Sequence, residues 1–216
     1  NAAFQGNVLT VNCSNLEGCV GLIEEAVNTA PANSEISIEP GLYLEETINI
    51  NKSIKLVGKR EFGEKETIIV NYTPEPAIFI NANVPMSIGF EGLIIESQVK
   101  DVLIESDEAK GIVISSNSSN VNIKLENLLI RSYVGVSVKT SNQESITLTV
   151  TGSRIISLLG VDLATEGNVS IKSTKLTGPL IESALPSLSD AGNGINAYSQ
   201  IGQLEIDLEA VEVEGF

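Results

Sequence analysis

Lys139, Asp162, Asn196 and Tyr198 are the side chains with the best claim to shared chemistry in this chain. Acid–base catalysis needs two positioned groups whose pKa values are driven apart, and a lysine beside an aspartate is such a pair. On an ordinary solvated face the same pair contributes little. The four lie far apart in sequence, so they matter only if the fold stacks them. Metal and thiol chemistry has little material here. The chain has no histidine, which argues against zinc. Cys13 and Cys19 have five residues between them, which excludes a CxxC redox pair. A local disulfide in an exported protein fits best, with two reduced thiols as the alternative.

A repeat would bring the four together. Gly111-Ile-Val-Ile, Gly135-Val-Ser-Val, Gly160-Val-Asp-Leu and Gly194-Ile-Asn-Ala recur at intervals of 24, 25 and 34 residues. A second string runs out of phase with them: Met86-x-Ile88-x-Phe90, Val121-x-Ile123-x-Leu125, Ile146-x-Leu148-x-Val150, Val169-x-Ile171 and Leu204-x-Ile206-x-Leu208. Its two longer intervals contain residues 98–110 and 179–191, which read as inserted loops. Few Asn-Gly or Asp-Gly turns separate the strands, so a hairpin meander fits poorly. A coil that advances one strand spacing per turn, about 4.8 Å, fits well. The expected fold is all-β: a single-stranded parallel β-helix, a solenoid of about seven coils, with ladders of inward Ile, Leu and Val. In register, Val113, Ser137, Asp162 and Asn196 form one outward column, and Ser115, Lys139, Ala164 and Tyr198 the next. Lys139, Asp162, Asn196 and Tyr198 then make a polar patch beside the loop 179–191.

Only one segment is helical by pattern. From Cys19 to Ala30, Val20, Ile23, Ala26, Val27 and Ala30 form one apolar stripe, and Pro31 stops it. That helix is placed to cap the first coil, giving residues 1–33 as an N-terminal strand and capping helix and 34–216 as the β-helix. The strand running to Phe216 carries outward Glu205, Asp207, Glu209, Glu212 and Glu214. Either those charges guard an end, or the β-helix is truncated here and a further chain or subunit meets that edge.

The net charge is −15, which disfavours nucleic acid and anionic membranes as partners. No apolar run approaches the roughly 18 residues of a membrane span, so membrane insertion is not expected. With 5 Phe, 4 Tyr and no Trp, core volume must come from Ile, Leu and Val. Asn-x-Ser/Thr triplets stand at Asn12, Asn51, Asn71, Asn117 and Asn168, too small an excess over chance to argue for glycosylation. Tyr43 reads as core filler. Asn127 reads as a turn residue in left-handed backbone, bonding its own main chain. Thr147, Thr149 and Thr151 alternate outward as plain strand residues rather than an ice-binding row.

Residues 19–70 carry a resemblance. Cys19 to Pro31 is followed by Ile36-Ser-Ile-Glu-Pro-Gly-Leu-Tyr-Leu-Glu45, Ile48-Asn-Ile, Ile54-Lys-Leu-Val-Gly58 and Thr67-Ile-Ile-Val70. This order resembles the opening of pectin-lyase-like right-handed β-helices, notably pectin methylesterases and NosD-type periplasmic repeat proteins. The resemblance implies a right-handed coil, an extracytoplasmic location and grooves that bind sugars. It covers about a quarter of the chain and is weak for activity. The family's catalytic strings are missing. No Gln-Ala-Val-Ala, Asp-Phe-Ile-Phe-Gly or Gly-Arg-Pro-Trp of the methylesterases is found, and neither is the Asp-Asp pair or Gly-His of polygalacturonases. Pectate lyases use an aspartate cluster for calcium and an arginine base; here the arginines are Arg60, Arg131 and Arg154 alone. Calcium is not indicated by a motif, and no cofactor is expected. The expected function is a non-catalytic extracytoplasmic module, structural or binding carbohydrate at a surface. The alternative is a polysaccharide-active lyase, hydrolase or esterase with a non-standard or uncovered site.

Overall fold

A computed structural model describes residues 8–60, 65–97, 109–118, 120–132, 134–140, 146–156, 159–164, 174–177, 195–198 and 212–214. The chain begins with β1 (Val8–Val11), β2 (Cys19–Val20) and α1 (Leu22–Thr29). Then come β3 (Ser34–Ile38), β4 (Gly41–Glu45), β5 (Ile48–Ile50), β6 (Ile54–Val57), β7 (Thr67–Asn71) and β8 (Ile78–Ala82). The series continues with β9 (Met86–Glu91), β10 (Ile94–Ser97), β11 (Lys110–Ser116), β12 (Val121–Glu126), β13 (Leu129–Arg131) and β14 (Val134–Thr140). Last are β15 (Ile146–Thr151), β16 (Ser153–Ile156), β17 (Leu159–Ala164), β18 (Thr174–Thr177), β19 (Ile195–Tyr198) and β20 (Glu212–Glu214).

These strands form three parallel sheets. The first runs β1-β3-β6-β9-β12-β15, the second β2-β4-β7-β10-β13-β16-β18-β20, and the third β5-β8-β11-β14-β17-β19. From β3 to β17 the chain visits first, second and third sheet in unvarying order. Among the described residues the architecture is thus all-β and parallel with one helix, compatible with a parallel β-helix.

Alternation explains why these segments are strands. Inward positions stack like on like: Ile36, Leu56, Phe90, Leu125 and Val150 in the first sheet. Tyr43, Ile69, Ile95, Ile130 and Ile155 follow in the second. Ile48, Ile78, Ile112 and Val136 follow in the third. All are at most 1% exposed, so each contributes about 1.5–3 kcal/mol of apolar burial. Met86, Ile88 and Phe90 stack on Val121, Ile123 and Leu125, then on Ile146, Leu148 and Val150, as their spacing indicates. The related strings at 169–171 and 204–208 lie outside the described residues, as do the loop 179–191 and most of the loop 98–110, whose last residue, Lys110, instead begins β11. Tyr43 is fully buried, and its hydroxyl donates to the Glu39 carbonyl at 2.8 Å.

The first glycine string has a steric cause. A Cβ on Gly111 would stand 2.6 Å from the Gly135 carbonyl oxygen of the next strand and 2.6 Å from Ile130 Cγ2. Corners between the first and second sheets use left-handed backbone instead: Gly92 at φ 64°, Asn127 at φ 51° and Gly152 at φ 58°.

The helix is shorter than the apolar stripe suggests. Cys19 and Val20 belong to β2, paired with Tyr43 and Leu44, and Val20 is 65% exposed. Gly21, at φ 70°, separates that strand from α1. The helix buries Ile23, Ala26 and Val27 against β1, β3, β4 and β5, so it covers the N-terminal end of the interior. Its first N–H groups are satisfied from a strand: Glu45 accepts from Ile23 N at 2.8 Å and Glu24 N at 3.3 Å. Burial raises the Glu45 pKa, against the pull of those two bonds. Lys52 Nζ donates to the Ala30 carbonyl at 2.6 Å, placing a cation at the helix C-terminus. Cys13 and Cys19 are joined by a disulfide that ties β2 to the preceding loop.

Candidate functional site: the outer face of the third sheet

Alternation along the third sheet turns every second residue outward. One column holds Asn49, Phe79, Val113, Ser137, Asp162 and Asn196, each paired with the next. The adjacent column holds Asn81, Ser115, Lys139, Ala164 and Tyr198. Asp162 and Asn196 are therefore direct strand neighbours. Lys139 sits diagonally from Asp162, and Ala164 separates it from Tyr198. The backbone register brings all four onto one stretch of face, with adjacent strands about 4.8 Å apart. The Lys139 side chain is exposed; for Asp162, Asn196 and Tyr198 the description is of the backbone.

Val113 and Ser137 differ from expectation. Both occupy outward positions, yet Val113 is 8% exposed and Ser137 is fully buried. Alternation decides the side of a sheet; it does not decide what lies over that side.

At the other end of the same column the face opens into a groove of about 430 Å³. Its floor is Phe79, half-buried, with Val113 and Asn49 on the neighbouring strands. Thr47, Lys110 and the segment Pro74-Glu75-Pro76 form its walls. The proline wall is held from beneath. Asn71 is completely buried, and its Nδ2 donates to the Glu46 carbonyl at 3.0 Å. Its Oδ1 accepts from Thr73 N at 3.0 Å, which starts the turn leading to Pro74. A buried amide bonded on both sides fixes the rim with little freedom. Asn71 opens one of the five Asn-x-Ser/Thr triplets, and its burial removes it as a glycan acceptor. On the floor, Asn49 Nδ2 turns back to the Thr47 carbonyl at 2.9 Å, leaving its amide oxygen as the acceptor.

Chemically the groove offers an aromatic surface, two prolines, an amide, one carboxylate and one ammonium. Among the described residues, no group of three or more Asp, Glu, Cys or His is placed to hold a metal ion. The sequence matches no known family model and no curated protein. The site therefore stands on its own geometry. Phe79 is not among the residues that the sequence pattern singles out. The signal was present: an aromatic at an outward strand position, three residues after a Pro-x-Pro segment.

Proposed function

We propose that the chain is a right-handed parallel β-helix of the pectin-lyase-like kind, about seven coils long, that binds carbohydrate outside the cytoplasm without turning it over. The observation carrying the binding role is the groove over Phe79. An aromatic face flanked by an amide, a carboxylate and an ammonium suits a sugar ring, whose C–H face is apolar and whose rim is hydroxyl. A single carboxylate beside one lysine is sparse for acid–base work, which favours binding over catalysis. The disulfide favours an oxidising compartment.

Affinity electrophoresis through gels containing soluble polysaccharides, together with a glycan array, tests this reading. Retention by at least one polysaccharide is expected, with Phe79→Ala weakening it about tenfold at unchanged melting temperature. No retention on any glycan, or retention indifferent to Phe79→Ala, would overturn it. Release of reducing ends from a retained polymer would sink the non-catalytic part and favour an enzyme working from Lys139 and Asp162.

A further inference from the structure

The chain has three arginines: Arg131 and Arg154 stand on the outer face of the second sheet, and Arg60, at a neighbouring corner, lies within reach of their charge. Arg131 and Arg154 come from adjacent strands. Register pairs Leu129 with Arg154 and Arg131 with Ile156, so the two arginines are diagonal neighbours. Arg60 reaches them from the corner after β6. Its Nη1 donates to Asn127 Oδ1 at 3.4 Å, and Asn127 Nδ2 donates back to the Arg60 carbonyl at 3.3 Å. Arg154 N is bonded to the carbonyl of Leu128, the residue after Asn127.

Clustering like charges is unfavourable unless something compensates. Arg60 is partly buried; burial first, then the charges of Arg131 and Arg154, pull its pKa down, while Glu66 opposes them. Arg131 is ion-paired with Glu96. Among the described residues, the carboxylates of Glu66 and Glu96 act on these guanidiniums, and the strand neighbour of Arg154 on the far side, Lys175, is itself paired in register with Glu212. In a chain of net charge −15, all three arginines thus share one neighbourhood.

Asn127 is the second, independent observation. Stacking of Glu91, Glu126 and Thr151 makes the following residues, Gly92, Asn127 and Gly152, equivalent. All three have positive φ. Glycine meets that conformation without strain, yet the middle position carries asparagine. Its side chain is spent on Arg60, a neutral partner that positions the guanidinium without cancelling its charge.

We propose that Arg60, Arg131 and Arg154 form a binding site for a sulfate or phosphate monoester, with Asn127 as a positioning residue. Guanidinium groups match tetrahedral oxyanions through paired N–H donors, and neighbouring guanidiniums can each offer such a pair to a different oxygen of the group. The site lies on a different sheet from the Phe79 groove and does not depend on it.

The test is a titration of the whole chain followed by the arginine Nε–Hε signals in NMR. Inorganic sulfate, inorganic phosphate, glucose 6-sulfate and glucose 6-phosphate are the probes, with sodium chloride at equal ionic strength as reference. Saturable shifts of the three arginine signals are expected. Arg154→Gln should weaken binding about tenfold, the loss of one charge-assisted contact. Asn127→Gly should keep the melting temperature, since glycine suits the corner, and still weaken binding several-fold. The two esters tell a sulfated from a phosphorylated ligand. Linear shifts matching those in chloride, or affinities unchanged in both variants, would overturn the site.

Discussion

On the outer face of the first sheet, Lys55 Nζ lies 2.6 Å from Glu91 and 4.0 Å from Glu35, and Lys124 lies 2.6 Å from Glu126. Lys55 extends across Gly89, where a Cβ would come within 3.0 Å of its Cγ. Thr147, Thr149 and Thr151 continue that face in partial or full exposure. On the outer face of the third sheet, Asn49, Phe79 and Val113 stand in column above a proline wall pinned by buried Asn71. Behind both faces lie the same ladders of stacked aliphatic residues. The first face answers its charges with its own charges, which leaves little to offer a ligand. The third spends a buried amide on shaping a concave surface. Architecture is therefore held in common inside, and function is to be sought where the outer residues are not matched to one another.

The largest effect should come from breaking what the two sheets share. Leu56 in the first and Ile80 in the third are both fully buried. Leu56→Ala and Ile80→Ala should each cost about 2–5 kcal/mol in urea denaturation, the transfer of the lost methyl groups plus the cavity left behind. Costs of similar size mean one continuous interior. A large loss for one and none for the other would mean that the sheets do not share a core, and the comparison would fail.

Next comes a change beneath the third face alone. Asn71→Ala would strand the Glu46 carbonyl and release the turn at Thr73, at a cost of about 1–3 kcal/mol. Polysaccharide retention should weaken with it, because the proline wall loses its anchor. Destabilisation with undiminished retention would show that the wall is not part of the binding surface.

How much of this was readable in the sequence follows from what a period-2 pattern encodes. Met86, Ile88 and Phe90 announced their stacking on Val121, Ile123 and Leu125, since inward apolar residues must alternate and recur. The same logic put Ser137, Asp162 and Asn196 in one column. Corners leave no such periodic mark. Gly92 and Gly152 went unremarked, and Asn127 was understood only as far as its left-handed backbone. Its side chain bonds Arg60, 67 residues away, rather than its own main chain. Exposure was equally hidden: Val113 and Ser137 are outward and buried. Val20 failed in the other direction, because helical spacing cannot detect a two-residue pairing with Tyr43 and Leu44. The groove combines Asn49, Phe79 and Lys110 from three different strands, so no local window contains it.

The smallest effect should come from the first face. Lys55→Met removes the cation between Glu35 and Glu91 and keeps the aliphatic stem over Gly89. Burial alone would lower the Lys55 pKa, yet the hydrogen bond to Glu91 and the charges of Glu91, Glu35 and Glu126 raise it overall. A lysine with a raised folded pKa stabilises the fold fully below its unfolded value of 10.5 and loses that contribution as pH rises through the folded value. The variant should thus be less stable than the parent at pH 7, by no more than about 1 kcal/mol for a partly exposed pair. Added salt should shrink the difference, and it should vanish above the raised Lys55 pKa. Retention on polysaccharide should not change at all. A marked loss of retention in Lys55→Met, with the melting temperature held, would make the first face part of the ligand surface and would erase the distinction between self-matched and unmatched faces.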